Sequence, residues 1–145
     1  METNNNNLKK ISKFLMILAA YHAFSLVRYC MNLSVLDTSA LDDMSQMVMP
    51  AISVMGGIPD VLSVLVYVFL CFKGHQEAND PSSAKLHIIL ALVWMIGSVL
   101  SVIGQAASLV SGVTMMMIVN LLFAAASVVL LFFYRKYAKE ICTEE

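Results

Sequence analysis

The chain has 145 residues, of which 59% are hydrophobic and 13% are charged, and its formal net charge is −1. Soluble domains are usually about half apolar and about a quarter charged, so this composition argues against a soluble domain. The nearly neutral charge gives no indication of a nucleic-acid partner.

The apolar residues are concentrated in four long runs. Each run reaches the roughly 20 residues that a helix needs to cross a hydrocarbon core about 30 Å thick. We therefore predict an all-α integral membrane protein, a single domain over residues 1–145 in which four transmembrane helices form an antiparallel bundle. The predicted helices span residues 8–36, 48–73, 84–109 and 113–138. Residues 1–7 include four consecutive asparagines and are expected to be disordered.

The basic residues are distributed asymmetrically about these helices. Lys and Arg residues that flank membrane helices stay on the cytoplasmic side. Eight of the nine basic residues fall on one side: Lys9, Lys10, Lys13, Lys73, Lys85, Arg135, Lys136 and Lys139. The loop on the other side, between the first two helices, holds three Asp residues and no Lys or Arg. We therefore predict that both termini are cytoplasmic and that the protein lies in the plasma membrane.

The first helix carries polar residues in its middle and outer half, among them His22 and Arg28. Arg28 is the only basic residue away from the cytoplasmic side. Ionisable side chains within a membrane are costly and usually mark a binding site or pair with one another. Both residues are therefore candidates for a site inside the bundle.

The second apolar run is interrupted near its middle by Gly56, Gly57, Pro59 and Asp60. Proline removes a backbone hydrogen bond from a helix interior, and lipid does not satisfy the freed carbonyl group. If the helix began at Pro59, only about 13 apolar residues would remain, too few to cross a bilayer. We therefore predict that this helix includes Pro59 and is broken near Gly56–Pro59, by a kink or by local unwinding.

The third helix carries small residues at spacings of four, three and four, at Gly97, Ser101, Gly104 and Ser108. These positions share one face, and small residues let membrane helices approach closely. We expect this face to pack against another helix or to mediate self-association. The fourth helix carries Asn120 in its outer half.

Four polar residues on three helices lie in the middle and outer half of the membrane. Helical rise places His22, Asp60, Asn120 and Arg28 between about 16 and 25 Å from the cytoplasmic ends of their helices. Such residues should face the bundle interior, with Asp60 paired with Arg28 or His22. We predict a substrate or ion site at Asp60, Arg28, His22 and Asn120. The alternative is a structural role, either an interhelical lock or an Arg28 side chain that reaches toward the outer headgroups, and for Asn120 a helix–helix hydrogen bond is the favoured interpretation.

No cofactor is predicted. Met44, Met47 and Met49 form a weak option for Cu(I), because thioethers are soft ligands, but methionine is also a flexible filler of apolar cores. The three histidines lie at unmatched depths, which disfavours haem, and the three cysteines have no metal-like or redox spacing.

Motifs of nucleophilic, zinc-dependent and phosphate-binding enzymes are absent from the sequence, so an enzyme is the less favoured interpretation. We predict an oligomeric transporter or a channel-like subunit with a polar site at mid-membrane. The alternative is a non-catalytic accessory or scaffold subunit of a larger membrane complex. The expected partners are the lipid bilayer and either further copies of the chain or a partner membrane subunit.

Overall fold

The computed structural model describes residues 2–34, 43–80, 85–109 and 112–143. Within these ranges the chain forms four helices, α1 (Glu2–Ser34), α2 (Asp43–Glu77), α3 (Leu86–Ser108) and α4 (Met115–Thr143). Each helix contains a stretch that is long and apolar enough to span a membrane, and the described residues include no β-strand. The prediction of an all-helical integral membrane protein with four spanning helices is therefore confirmed.

The first two helices are longer than their apolar runs. α1 begins at Glu2 rather than at residue 8, so the asparagine-rich start is helical and not disordered. The physical reason is tertiary packing, because Leu8 and the Oδ1 atom of Asn5 are buried in the bundle. α2 likewise extends over 35 residues. Helices of this length exceed the hydrocarbon thickness, so they tilt or project beyond it.

Consecutive helices pack as antiparallel hairpins. On α1, Leu26 and Tyr29 lie beside Gly57 of α2, while Ser12 lies beside Gly74 near the other end of the pair. α3 packs along α4 in the second hairpin, and the two hairpins meet where α1 packs along α4. α2 and α3 contact each other little, so the bundle is open on that side. We refer to the α1–α4 contact as the seam and to the gap between α2 and α3 as the opening.

The tightly packed core lies at the end of the bundle where α1 begins and α4 ends. Its largest fully buried apolar and aromatic side chains are Leu8, Leu15, Tyr67, Leu70, Leu131, Tyr134 and Ile141. Polar side chains are buried there as well, including His87 and Glu77, whose carboxylate lies 3.5 Å from Lys73 Nζ one turn earlier. The outward faces of all four helices carry large exposed apolar side chains, as expected for helices surrounded by lipid.

The second helix includes Pro59 as predicted and is not unwound at Gly56 and Gly57, while a kink at this point stays a prediction. α2 is one continuous helix through Gly56, Gly57 and Pro59. The two glycines serve close packing instead, because a β-carbon on Gly56 would overlap the side chain of Tyr29 on α1. Pro59 removes only the hydrogen bond that would end on the Met55 carbonyl group, and membrane helices tolerate such a loss.

The small-residue face of α3 does not pack against another helix within the described chain. A β-carbon added to Gly97 or Gly104 would have no neighbouring atom within 4 Å. α3 instead turns His87, Ile88 and Ala91 into the core. Close packing at Gly97 and Gly104 is therefore absent among the described residues, and self-association through the face of Gly97, Ser101, Gly104 and Ser108 stays a prediction.

Gly74→Ala is expected to lower the thermal unfolding midpoint of the purified protein in detergent. The added methyl group would collide with the Ser12 hydroxyl and the Tyr134 ring, both fully buried, and overpacking costs about 1–3 kcal/mol. Gly97→Ala is the matched control, since it meets no neighbouring atom and should change the stability by less than about 1 kcal/mol. Equal midpoints for the two variants would contradict this packing.

Candidate functional site

A cavity of about 460 Å³ lies between the helices next to the packed core. Each helix contributes to its wall, for example through His22 on α1, Asp60 on α2, Trp94 on α3 and Asn120 on α4. Because α2 and α3 contact each other little, the cavity continues into the opening between them. Three of the four sequence-predicted site residues therefore line one cavity.

Asp60 is held by two side chains of α1. His22 Nδ1 lies 2.7 Å from Asp60 Oδ1, and Ser25 Oγ donates a hydrogen bond of 2.9 Å to Asp60 Oδ2. Ser25 follows His22 by three residues, so both side chains leave the same face of α1. The Asp60 and His22 side chains are each 22% exposed, so the pair is accessible from the cavity. Both carboxylate oxygens are thus hydrogen-bonded while the pair keeps a route to solvent or ligand.

Arg28, the other partner considered for Asp60, lies elsewhere. Its side chain is exposed, it does not line the cavity, and it makes no ion pair with an acidic residue in the described parts of the chain. Helical rise places Arg28 about 9 Å farther along α1 than His22, so Asp60 on the antiparallel helix meets His22 first.

Asn120 joins the two hairpins at the seam. Its Oδ1 atom accepts a hydrogen bond from the Tyr21 hydroxyl group of α1. The Tyr21 ring stacks on Phe123 of α4, with centroids 3.7 Å apart and an interplanar angle of 3°. Asn120 also lines the cavity, so it combines an interhelical contact with a position in the candidate site.

Two aromatic residues that were not predicted from the sequence, Tyr67 and Trp94, complete the centre of the site. The Tyr67 side chain is almost fully buried, and its ring stacks on His22 with centroids 5.6 Å apart. The Tyr67 hydroxyl group lies near Trp94 and Ser98 of α3 and Ser127 of α4. The His22 imidazole therefore has a carboxylate at one nitrogen and an aromatic ring against its face.

Serine side chains make the cavity rich in hydrogen-bond acceptors. Ser63, Ser98 and Ser127 each donate to the carbonyl group four residues earlier in their own helix, at 2.8, 2.9 and 2.9 Å respectively. A hydroxyl group that has committed its hydrogen in this way retains only its lone pairs for other partners. All three serines line the cavity, where the Tyr67 hydroxyl group lies beside Ser98 and Ser127 and Ser63 presents an oxygen acceptor.

The cavity residues recur at helical spacing along each helix, and this signal was available in the sequence. The series are His22 and Ser25, then Asp60, Ser63 and Tyr67, then Trp94, Ser98, Ser101 and Gln105, and finally Asn120, Ala124 and Ser127. Spacings of three and four place residues on one helix face. A search at that spacing around His22 and Asp60 would have selected Ser25, Ser63 and Tyr67.

The remaining sequence-predicted residues are distributed between packing and lining roles. Gly97, Ser101 and Pro59 line the cavity, whereas Gly104 is exposed beyond it. The side chains of Met44, Met47 and Met49, the weak copper option, lie outside the described part of the structure. Among the described residues, no three His, Cys, Asp or Glu side chains come together as a metal site would require.

A double-mutant cycle between His22→Asn and Asp60→Asn should give a coupling energy of about 1 kcal/mol or more, because the two side chains share a short hydrogen bond. The matched cycle between Arg28→Gln and Asp60→Asn should give less than about 0.5 kcal/mol, because these side chains are not in contact. The measurement is the free energy of unfolding of each variant in mixed micelles. A larger coupling for Arg28 than for His22 would overturn the assigned pairing.

Comparison of the chain with protein-family models, with curated proteins and with solved structures found no match. A bundle of four membrane helices serves many unrelated activities, so the fold by itself assigns none. The family of this chain is therefore not identified by similarity.

Proposed function

We propose that the protein is a small plasma-membrane transporter that binds a solute in the cavity beside Asp60. The observation that carries the proposal is a carboxylate–imidazole pair on the wall of a cavity of about 460 Å³ inside an apolar bundle. Ligand sites commonly have volumes of about 300–1,000 Å³. A purely structural lock needs close packing around the pair, whereas here the pair faces open space.

The pair is also suited to a change of charge during a transport cycle. Asp60 and His22 are each 22% exposed, so protons and solutes reach them without unfolding of the bundle. A proton gained or lost by the imidazole changes the net charge of the cavity by one. That change alters the affinity for any charged solute, and this coupling is what a proton-linked transporter requires.

The arrangement of the hairpins supports a route for conformational change. The hairpins meet along the seam, where Tyr21 contacts Asn120 and Phe123, and they separate at the opening. A small rotation about the seam would move α2 relative to α3 and change access to the cavity. Rigid-body movement of one helical unit against another is a common basis for alternating access.

The proposed orientation places both termini in the cytoplasm. Contacts of Gly74 with Ser12 and Tyr134 bring the first part of α1, the end of α2 and the last part of α4 to the same end of the bundle. That end carries most of the basic residues, and Arg28 lies toward the other end. The positive-inside rule then assigns the basic end to the cytoplasm.

The active unit in this proposal is a homo-oligomer. Gly104 lies on α3 outside the cavity lining, and a β-carbon there would meet no described atom within 4 Å, so this part of α3 is open to close helix association. The same surface is the observation that favours the second candidate function, a non-catalytic accessory subunit that docks onto a larger membrane complex. The two functions differ in whether the protein alone moves a solute.

Purified protein in liposomes should take up at least one of three radiolabelled probes, benzyltrimethylammonium, benzenesulfonate or erythritol, faster than protein-free liposomes. Asp60→Asn should lower that uptake by about tenfold or more, because the variant removes the charge at the centre of the cavity. Asp80→Asn is the matched control, since it removes the same charge from an exposed turn after α2 and should leave uptake unchanged.

Uptake equal to that of protein-free liposomes for all three probes would contradict the transport proposal. Recovery of a stoichiometric partner subunit during purification in mild detergent would then support the accessory role. Equal loss of uptake in Asp60→Asn and Asp80→Asn would show that general charge, and not the cavity, controls the flux.

A further inference from the structure

The charges and hydrogen-bonding groups of the cavity are unbalanced in one direction. Among the described residues, its lining contains one carboxylate, Asp60, and no Lys or Arg. The one described lining residue that can carry a positive charge is His22, whose Nδ1 atom lies 2.7 Å from that carboxylate. With His22 neutral, the cavity carries one net negative charge in an apolar surrounding. Such a charge attracts a cation and repels an anion.

The neutral polar groups add to this preference. Ser63 has committed its hydrogen to its own helix and presents oxygen lone pairs, whereas Ser98 and Ser127 lie beside the Tyr67 hydroxyl group. The amide nitrogen of Gln105 donates to Ser101 Oγ at 2.9 Å, and Gln105 Oε1 is a buried acceptor that has no hydrogen-bond partner among the described residues. A solute that carries N–H donors would satisfy these acceptors, whereas a carboxylate or phosphate group would not.

Aromatic rings provide a second kind of contact for the same solute. Tyr21, Tyr67 and Trp94 line the cavity, and Tyr67 already stacks against the imidazole of His22. The faces of Trp and Tyr rings attract cations, and the attraction is stronger where water is excluded. The apolar faces also suit a hydrocarbon body, which can enter from the lipid side through the opening.

We infer that the cavity binds a monovalent organic cation with an aromatic or apolar body, and that this cation and a proton compete for the Asp60–His22 pair. The inference deepens the proposed function and rests on it, since it names the substrate class of the same cavity. A protonated His22 neutralises Asp60 and removes the net charge that holds the cation. Binding of the cation therefore releases one proton from the imidazole to solvent, and proton binding expels the cation.

The other titratable groups around the pair do not take over this exchange of a proton for the bound cation. On α1 these are Tyr21 and, farther along, the exposed Arg28, and on α2 the neighbouring group is Tyr67. Phenols are neutral and Arg is charged throughout the physiological range. α3 and α4 contribute no titratable side chain to the cavity lining. Among the described lining residues, a proton bound or released by His22 is thus what changes the charge of the cavity.

The test is equilibrium binding to the intact protein in detergent, measured by calorimetry with benzyltrimethylammonium, whose charge does not vary with pH. Benzenesulfonate and benzyl alcohol serve as the anionic and neutral probes. We expect the cation to bind at least about tenfold more tightly than either of them. Its affinity should fall as pH is lowered from about 8.5 to 5.5, by up to about tenfold per pH unit, with release of up to one proton per cation bound.

Three variants separate the contributions to binding. Asp60→Asn should abolish binding of the cation, and Trp94→Leu should weaken it while preserving the pH dependence. His22→Gln keeps the carboxylate and removes the competing proton, so it should bind the cation with an affinity that no longer falls over this pH range. It therefore tests the exchange even if Asp60→Asn does not fold.

Tighter binding of benzenesulfonate or benzyl alcohol, or a wild-type affinity for the cation that does not change with pH, would overturn the inference. These results are distinct from failure of the transport proposal. Cation binding without flux in liposomes would leave the assigned ligand class intact and remove transport. Uptake of benzenesulfonate or erythritol without cation binding would leave transport intact and remove the assigned ligand class.

Discussion

The charge of Asp60 is the constraint on which the arrangement of this bundle depends. An ionised carboxylate among apolar helices is destabilising unless hydrogen bonds and an opposite charge compensate it. His22 and Ser25 supply that compensation from one face of α1. The close approach of α1 to α2 at Gly56 and Gly57 makes these contacts possible. Gly56 and Gly57 therefore support the contacts of Asp60. They let the backbones of α1 and α2 approach closely, and the Asp60–His22 pair forms one turn farther along α2.

The distribution of packing along the bundle explains why this pair lies on the wall of a cavity. The core is closed at the end that holds Leu8, Tyr134 and Ile141, where all four helices bury side chains. Farther along, the hairpins stay together only at the seam, and α2 and α3 diverge. Three serines that line this space donate to carbonyl groups of their own helices. The proposed preference for a cation therefore rests mainly on the carboxylate of Asp60.

The sequence predicted the elements well because each required only local information. Apolar runs of more than 20 residues give membrane-spanning helices almost without regard to context. Helical rise alone placed His22 and Asp60 at similar depth, and the structure brings them together. The choice between His22 and Arg28 depended on the register of α1 against α2, which the sequence did not specify. Local unwinding at Gly56–Pro59, one of the two predicted forms of the break, is absent because the glycines admit a neighbouring helix, and one lost hydrogen bond does not interrupt a long membrane helix. The contributions of Trp94, Ser98 and Ser127 required tertiary packing, since nothing local links α3 and α4 to Asp60.

Asp60 and His22 form a direct pair inside the four-helix bundle, and the proposed binding site depends on this contact. Solid-state NMR measures this most directly, through dipolar recoupling between ¹⁵N-labelled histidine and the ¹³C-labelled side-chain carboxyl group of aspartate in lipid bilayers. Because Nδ1 and Oδ1 lie 2.7 Å apart, the ¹⁵N label should dephase the carboxyl ¹³C signal of Asp60 strongly. This dephasing should disappear in the His22→Asn variant. Absence of such dephasing in the unmodified protein, with His22 and Asp60 both ordered, would contradict the account.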